Sequence, residues 1–318
     1  MPDQVRNGKR EPDAFWANAT PSIWGEASPM LWLILSLLTA LAVASQDAWV
    51  KKHFSHLTAD DMLAFPFLFS LPLFTLTIPF ITVPPLDGTF YWCLLVSLPI
   101  NFIPFFIYMK AIRVSPLSLT LPYLAFTPAF MIFTGDVFLE EIPNLWGLAG
   151  IVITCIGGYV LNLESGRHSF WAPIKAVFKE TGSWLMLIVA LIFSFSAVIG
   201  KKGILHSSPL FFTMTFFAVL SFVAVLVLLG LGKIRLRTFR DDWVKGMVAG
   251  ILFFIHALSH GLAISMIKAS YMISVKRLSA LIGIIYGRLC FKEKYIALRF
   301  VGACLMVAGA VVITVWGR

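Results

Sequence analysis

The sequence predicts an all-α polytopic membrane protein with ten transmembrane helices, built as two inverted five-helix repeats. Three observations predict it. The composition is 59% hydrophobic and 13% charged, with a mean hydropathy of +0.87, far from the balance of a soluble domain. Ten apolar stretches have spanning length, and the last five echo the first five at a constant offset. The net charge of +9 does not imply nucleic acid, because the basic residues sit mostly between apolar runs, where they anchor and orient spans. Cys93, Cys155, Cys290 and Cys304 lie within or at the edge of apolar runs, without a CxxC or a Cys/His cluster. No metal or cofactor is expected.

Residues 1–30 are polar, with Pro2, Pro12, Pro21 and Pro29 and no apolar periodicity, and read as a mobile tail. The first apolar run ends in Ala42-Val43-Ala44, like a signal peptide, but its polar leader is long and the run has a counterpart in the second half. It reads as a retained helix. An apolar layer of about 30 Å takes roughly 20 helical residues. The chain supplies such stretches at 31–50, 61–83, 90–110, 117–136 and 145–163, then at 183–203, 209–231, 244–266, 270–290 and 296–316. The first repeat is therefore 31–163 and the second 182–318. Between them, ESGRHSFWAPIKAVFKET at 164–181 places Phe170, Trp171, Ile174, Val177 and Phe178 at helical spacing among basic residues, an amphipathic linker.

Pro66, Pro72, Pro79, Pro99, Pro104, Pro122 and Pro128 fall inside spans of the first half, whereas spans three to five of the second have none. Proline removes a helix hydrogen bond, so helices two, three and four should bend and the first half should supply more of the motion. Gly246 and Gly250, and Gly283 and Gly287, are four apart and suit close helix packing.

An offset of 152 residues aligns Trp32 with Trp184, Ala111 with Ala263, Gly135 with Gly287, Glu141 with Glu293, Gly150 with Gly302 and Gly157 with Gly309. An odd number of spans per half inserts the second copy upside down, as in secondary transporters. The segments AIRVSPLSLTLPYLAFTPAFMIFTGDVFLEEIPNLWGLAGIVITCIGGYVL and AISMIKASYMISVKRLSALIGIIYGRLCFKEKYIALRFVGACLMVAGAVVI share a helix, a glycine, a short turn with a glutamate, and a helix with spaced glycines. This pattern resembles the EamA-type repeat of the drug/metabolite transporter superfamily. The resemblance implies a ten-helix carrier with a central cavity.

The most informative stretch is Ser270–Glu293, where Lys276 and Arg277 interrupt an apolar run. Each costs about 2.5 to 3.5 kcal/mol at the centre of a spanning helix, so the pair should face a partner or a cavity. One reading is a buried pair neutralised by Asp47 or another acid; the other is a fork and a point charge holding a phosphate or carboxylate. SVKRLS is similar to the Lys-Arg dipeptide in the ninth helix of plastid phosphate-sugar translocators, and that resemblance implies phosphate binding by Lys276 and Arg277. The repeat mates of these two residues are Leu124 and Ala125.

His256 and His260 share one helix face and suit cavity hydrogen bonding or proton handling, or an ordinary helix contact. Asp47 is expected to neutralise Lys51 or a ninth-helix cation. Related small multidrug-resistance transporters carry a first-helix glutamate eight residues before a lysine, where this chain has Val43. Gly135, Glu141, Gly287 and Glu293 are read as structural, the glutamates accepting from helix N-terminal amides. Phe65, Phe67, Phe69, Phe105 and Phe106 are read as lipid contacts or packing.

These features predict a secondary transporter of a small organic solute working by alternating access, the solute anionic or phosphorylated. The alternatives are an amino-acid or metabolite exporter of the same superfamily, and a non-transporting receptor or assembly subunit with a dry core and paired cations. No HExxH, GxSxG or phosphate-binding glycine loop occurs, so no enzyme is expected. The bilayer and a small molecule are the expected partners, with no nucleic acid. Basic residues crowd the face opposite the termini, notably KIRLRTFR at 233–240. By the positive-inside rule both termini lie outside the cytoplasm, in a bacterial inner membrane by default.

Overall fold

The computed structural model describes residues 30–161, 180–234, 236–291 and 297–317. The mobile tail, nearly all of the amphipathic linker and Glu293 lie outside the described residues. The helices are α1 (Leu31–Phe54), α2 (Ala59–Thr77), α3 (Gly88–Val114), α4 (Leu117–Leu139), α5 (Leu145–Leu161), α6 (Thr181–Leu205), α7 (Pro209–Gly230), α8 (Trp243–Met266), α9 in two pieces (Ala269–Lys276 and Ser279–Phe291) and α10 (Ala297–Trp316), with a short connecting helix at Leu236–Asp241. Among the described residues, seven helices are long and apolar enough to cross a membrane: α1 to α4 and α6 to α8. Leu95, Phe133 and Leu289 point outward from the bundle, the residue types a lipid-facing surface requires.

Helix starts follow local chemistry. Thr58 and Asp61 form a reciprocal capping box at α2. Asp87 accepts from the Phe90 N–H at 2.9 Å at α3, Glu180 from the Ser183 N–H at 2.7 Å at α6, and Ser208 from the Phe211 N–H at 3.2 Å at α7. Each satisfies an amide that would otherwise stand unpaired.

Proline explains one interruption and fails to explain another. α4 breaks into a 3₁₀ segment at Leu121–Phe126, with Pro122 at its start. α2 and α3 run through Pro66, Pro72, Pro99 and Pro104 without an assigned break. Expected as one helix, α9 is instead interrupted between Lys276 and Ser279, with no proline there. The Arg277 N–H turns back onto the Ile273 and Ser274 carbonyls at 3.0 and 3.3 Å, closing the first piece tightly. The break falls where two cations must be accommodated, at the repeat mates of the α4 break.

Packing is set by small residues at two crossings. α5 and α10 run antiparallel in near contact: a Cβ on Gly150 would lie 2.8 Å from the Gly309 carbonyl oxygen, and one on Gly157 2.8 Å from that of Gly302. In return, a Cβ on Gly302 would meet the Gly157 carbonyl at 2.7 Å and one on Gly309 the Gly150 carbonyl at 2.6 Å. On α8, a Cβ on Gly250 would meet the backbone of Phe69 at 2.5 Å. Next to this crossing lies an aromatic core. Phe54 stacks on Phe65 with centroids 3.9 Å apart, and Phe253 meets Phe67 at 5.1 Å and Phe217 at 5.4 Å.

Candidate functional site

The centre of the bundle holds a cavity of about 110 Å³, room for several waters or one small metabolite. Asp47 of α1, His256 and His260 of α8, and Lys276 and Arg277 of α9 all line it. Seven helices contribute to its lining, α1, α3, α4 and α6 to α9; among them α1 packs on α8 and on both pieces of α9, while α3 packs on α6.

The cations make few contacts. Lys276 Nζ lies 3.0 Å from His256 Nε2 and 3.5 Å from His260 Nδ1. Arg277 is 4% exposed, and one guanidinium nitrogen donates to Thr127 Oγ1 of α4 at 2.9 Å. Among the described residues its Nε has no hydrogen-bond partner, and neither has Nδ1 of the buried His256. Asp47 does not pair with Lys51, nor does it form an ion pair with Lys276 or Arg277; its Oδ2 accepts from the Tyr108 hydroxyl of α3 at 2.5 Å. The Lys51 ammonium instead donates to the Ser115 carbonyl.

Buried atoms without partners are costly, each about 1 to 3 kcal/mol. Four such atoms belong to cavity-lining residues: Gln46 Oε1, Ser97 Oγ, His256 Nδ1 and Arg277 Nε. Burial of unmet donors and acceptors around one space is the arrangement a polar ligand would complete.

Reading the sequence alone missed the wall contributed by α3. Ser97, Asn101, Phe105 and Tyr108 line the cavity, and Asn101 Oδ1 accepts from Ser196 of α6 at 2.7 Å. Ser97, Asn101 and Tyr108 fall at i, i+4 and i+11 on one helical face, a polar stripe in an apolar span that could have marked them. Phe105, expected to pack or face lipid, borders the cavity with Phe193, Phe216 and Phe217.

Lys201, near the end of α6, is 5% exposed and also lines the cavity. It forms an ion pair with Glu141 and donates to the Ile267 carbonyl at 2.6 Å. The other Glu141 oxygen accepts from the Ala269 N–H at 2.8 Å. The glutamate thus meets the N-terminus of α9, in the other half of the chain; α5 is capped by Asn144, which accepts from the Gly147 N–H at 2.7 Å. The Gly135 carbonyl receives the Glu141 N–H at 3.1 Å as the chain turns through left-handed Glu140, φ 56°. Gly287 is buried within the second piece of α9.

A model of the EamA-like transporter family matches the chain twice, over residues 30–163 and 180–315. The chain belongs to the EamA-like transporter family. This EamA-like protein is accordingly a transmembrane secondary transporter of a small solute, in a family of transporters and not of enzymes. No curated protein matches it. Among solved structures, a crystal structure of a protein 12% identical matches with a TM-score of 0.64 over 92% of this chain and 98% of its own. At that identity the likeness concerns the fold alone. Among the described residues of the EamA-like chain, no group of three or more His, Cys, Asp or Glu side chains could hold a metal.

Proposed function

We propose that the chain carries a small organic anion across the membrane by alternating access, with Lys276 and Arg277 binding the anionic group. The observation that carries this reading is the pair of unpartnered buried donors, Arg277 Nε and His256 Nδ1, at the cavity that Lys276 also lines. His260 braces the lysine and Asp47 balances part of its charge. A non-transporting receptor with a dry centre and fully paired cations is disfavoured by the cavity and by the missing Asp47 contact. Export of a carboxylate metabolite and carriage of a phosphorylated one would use the same cations.

The scaffold we propose is ten spans in two inverted repeats. Three things support it: the family model matches each half, α4 and α9 break at aligned positions, and the α5–α10 glycine contacts are reciprocal. Both termini are placed outside the cytoplasm of a bacterial inner membrane, which reporter fusions to the C-terminus test directly. Transport itself is tested by counterflow in proteoliposomes. Saturable anion exchange that is abolished in Lys276→Gln and Arg277→Gln is the expected result; exchange unaffected by either substitution sinks the assignment.

A further inference from the structure

Counting charge around the cavity narrows the solute. Lys201 is neutralised by Glu141. Among the described residues, Lys276 and Arg277 hydrogen-bond only to neutral groups, two histidines and a threonine. Asp47 lines the same space and is bonded to Tyr108, a neutral donor. Two cations and one carboxylate leave a single uncompensated positive charge. In a buried site charges must balance or incur a heavy desolvation cost.

The hydrogen-bond sense adds a second requirement. An ammonium only donates, so His256 Nε2 and His260 Nδ1 accept from Lys276 and both rings are neutral. The His256 proton then sits on Nδ1, the atom left without a partner. With Arg277 Nε, the two residues of the cationic pole therefore hold two unused donors, both buried. Beside Asp47, the Gln46 amide oxygen and, on α3, the Ser97 hydroxyl are also unused, and the amide oxygen calls for a donor.

Resting on the anion-transport reading above, we propose that the site takes a hydroxylated monocarboxylate: one net negative charge at Lys276 and Arg277, and a hydroxyl at Gln46 and Ser97. Asp47 is the specificity residue. Its charge rejects dianions, including phosphomonoesters at neutral pH, because a second negative charge would face a carboxylate with no cation left to offset it.

The test is direct binding to the purified full chain at pH 7.5, comparing glycerate, propionate, malate and glycerol phosphate. Glycerate should bind roughly tenfold tighter than propionate, the worth of one recovered buried hydrogen bond, and roughly tenfold tighter than either dianion. Asp47→Asn should reverse the ranking of glycerate against malate, Asp47→Glu should keep it, and Gln46→Leu should erase the advantage over propionate. A wild-type protein that prefers malate or glycerol phosphate overturns the charge count without any variant having to fold, and an unchanged ranking in Asp47→Asn overturns it too. If dianions win and still need Lys276 and Arg277, only this inference falls. If no anion binds, the anion-transport reading falls with it.

Discussion

α4 and α9 hold the same place in the two halves that the family model matches, break at positions aligned by the offset of 152, and use the break differently. In α4 the interruption begins at Leu121, with Pro122 in its first turn, and is filled with Leu121, Tyr123, Leu124 and Ala125, all buried. In α9 it carries Lys276 and Arg277. Leu124 and Lys276, aligned at the offset of 152, both line the cavity. One broken helix supplies an apolar wall and the other a charged one, so two halves that match one family model hold a site that is not the same in both. The two are also tied together: Glu141, just past the end of α4, receives the first amide of α9, and Arg277 reaches Thr127 in the second stretch of α4.

The strongest way to break this contrast is to cut the tie. Glu141→Ala leaves Lys201 buried and unpaired and the start of α9 uncapped, and should destabilise the protein by about 3 to 5 kcal/mol, read as a lowered midpoint of denaturant-induced unfolding in detergent. An unchanged midpoint would mean the clamp does not hold α9. Next, Arg277→Gln should weaken anion binding tenfold to a hundredfold, since charged hydrogen bonds contribute about 1.5 to 3 kcal/mol. The mate substitution Leu124→Met should stay within about threefold, as a volume-conserving swap. Equal losses from the two would erase the asymmetry.

The scaffold should behave in the opposite way. Gly157→Ala and Gly302→Ala each push a methyl into the other's carbonyl, and should cost similar amounts, about 1 to 3 kcal/mol, in the same unfolding assay. A large difference would show that the crossing is not balanced between halves. The smallest effect lies outside both broken helices. The Phe90 N–H, with His206 beside it, holds the Asp87 carboxyl below the usual carboxylate range. A carboxyl depressed in the folded state stabilises above its unfolded value near pH 4 and ceases to do so as pH falls through the folded one. The difference in melting temperature between wild type and Asp87→Asn should therefore vanish at low pH and persist from pH 5 upward.

Much of the scaffold was legible because a bilayer imposes length and polarity on each segment. The expected span 117–136 became Leu117–Leu139, and 209–231 became Pro209–Gly230. The α4 break could be anticipated from Pro122. The α9 break could not, since it falls at Lys276 and Arg277 and contains no proline or other local breaker. The five polar residues singled out in advance line one cavity, because charged groups in a span have few other places to go. Ser97 and Asn101 escaped notice because small polar side chains often bond within their own helix, as Asn101 does to the Ser97 carbonyl at 2.8 Å. The partners of Glu141 and Lys201 lie 60 residues or more apart, so only the fold brings them together.

The α5–α10 crossing has a consequence for how such a chain could arise. Gly150 against Gly309 and Gly157 against Gly302 are the same contact approached from either half, made by helices running in opposite directions. On the proposed duplication, a half-length ancestor with one such helix would already have carried both faces of that contact, and a second copy inserted the other way up would have completed it. Fusion of two genes would then have created no new interface. It would have freed each copy of α4 and α9 to change alone, and a cation pair in just one of them is what that freedom permits.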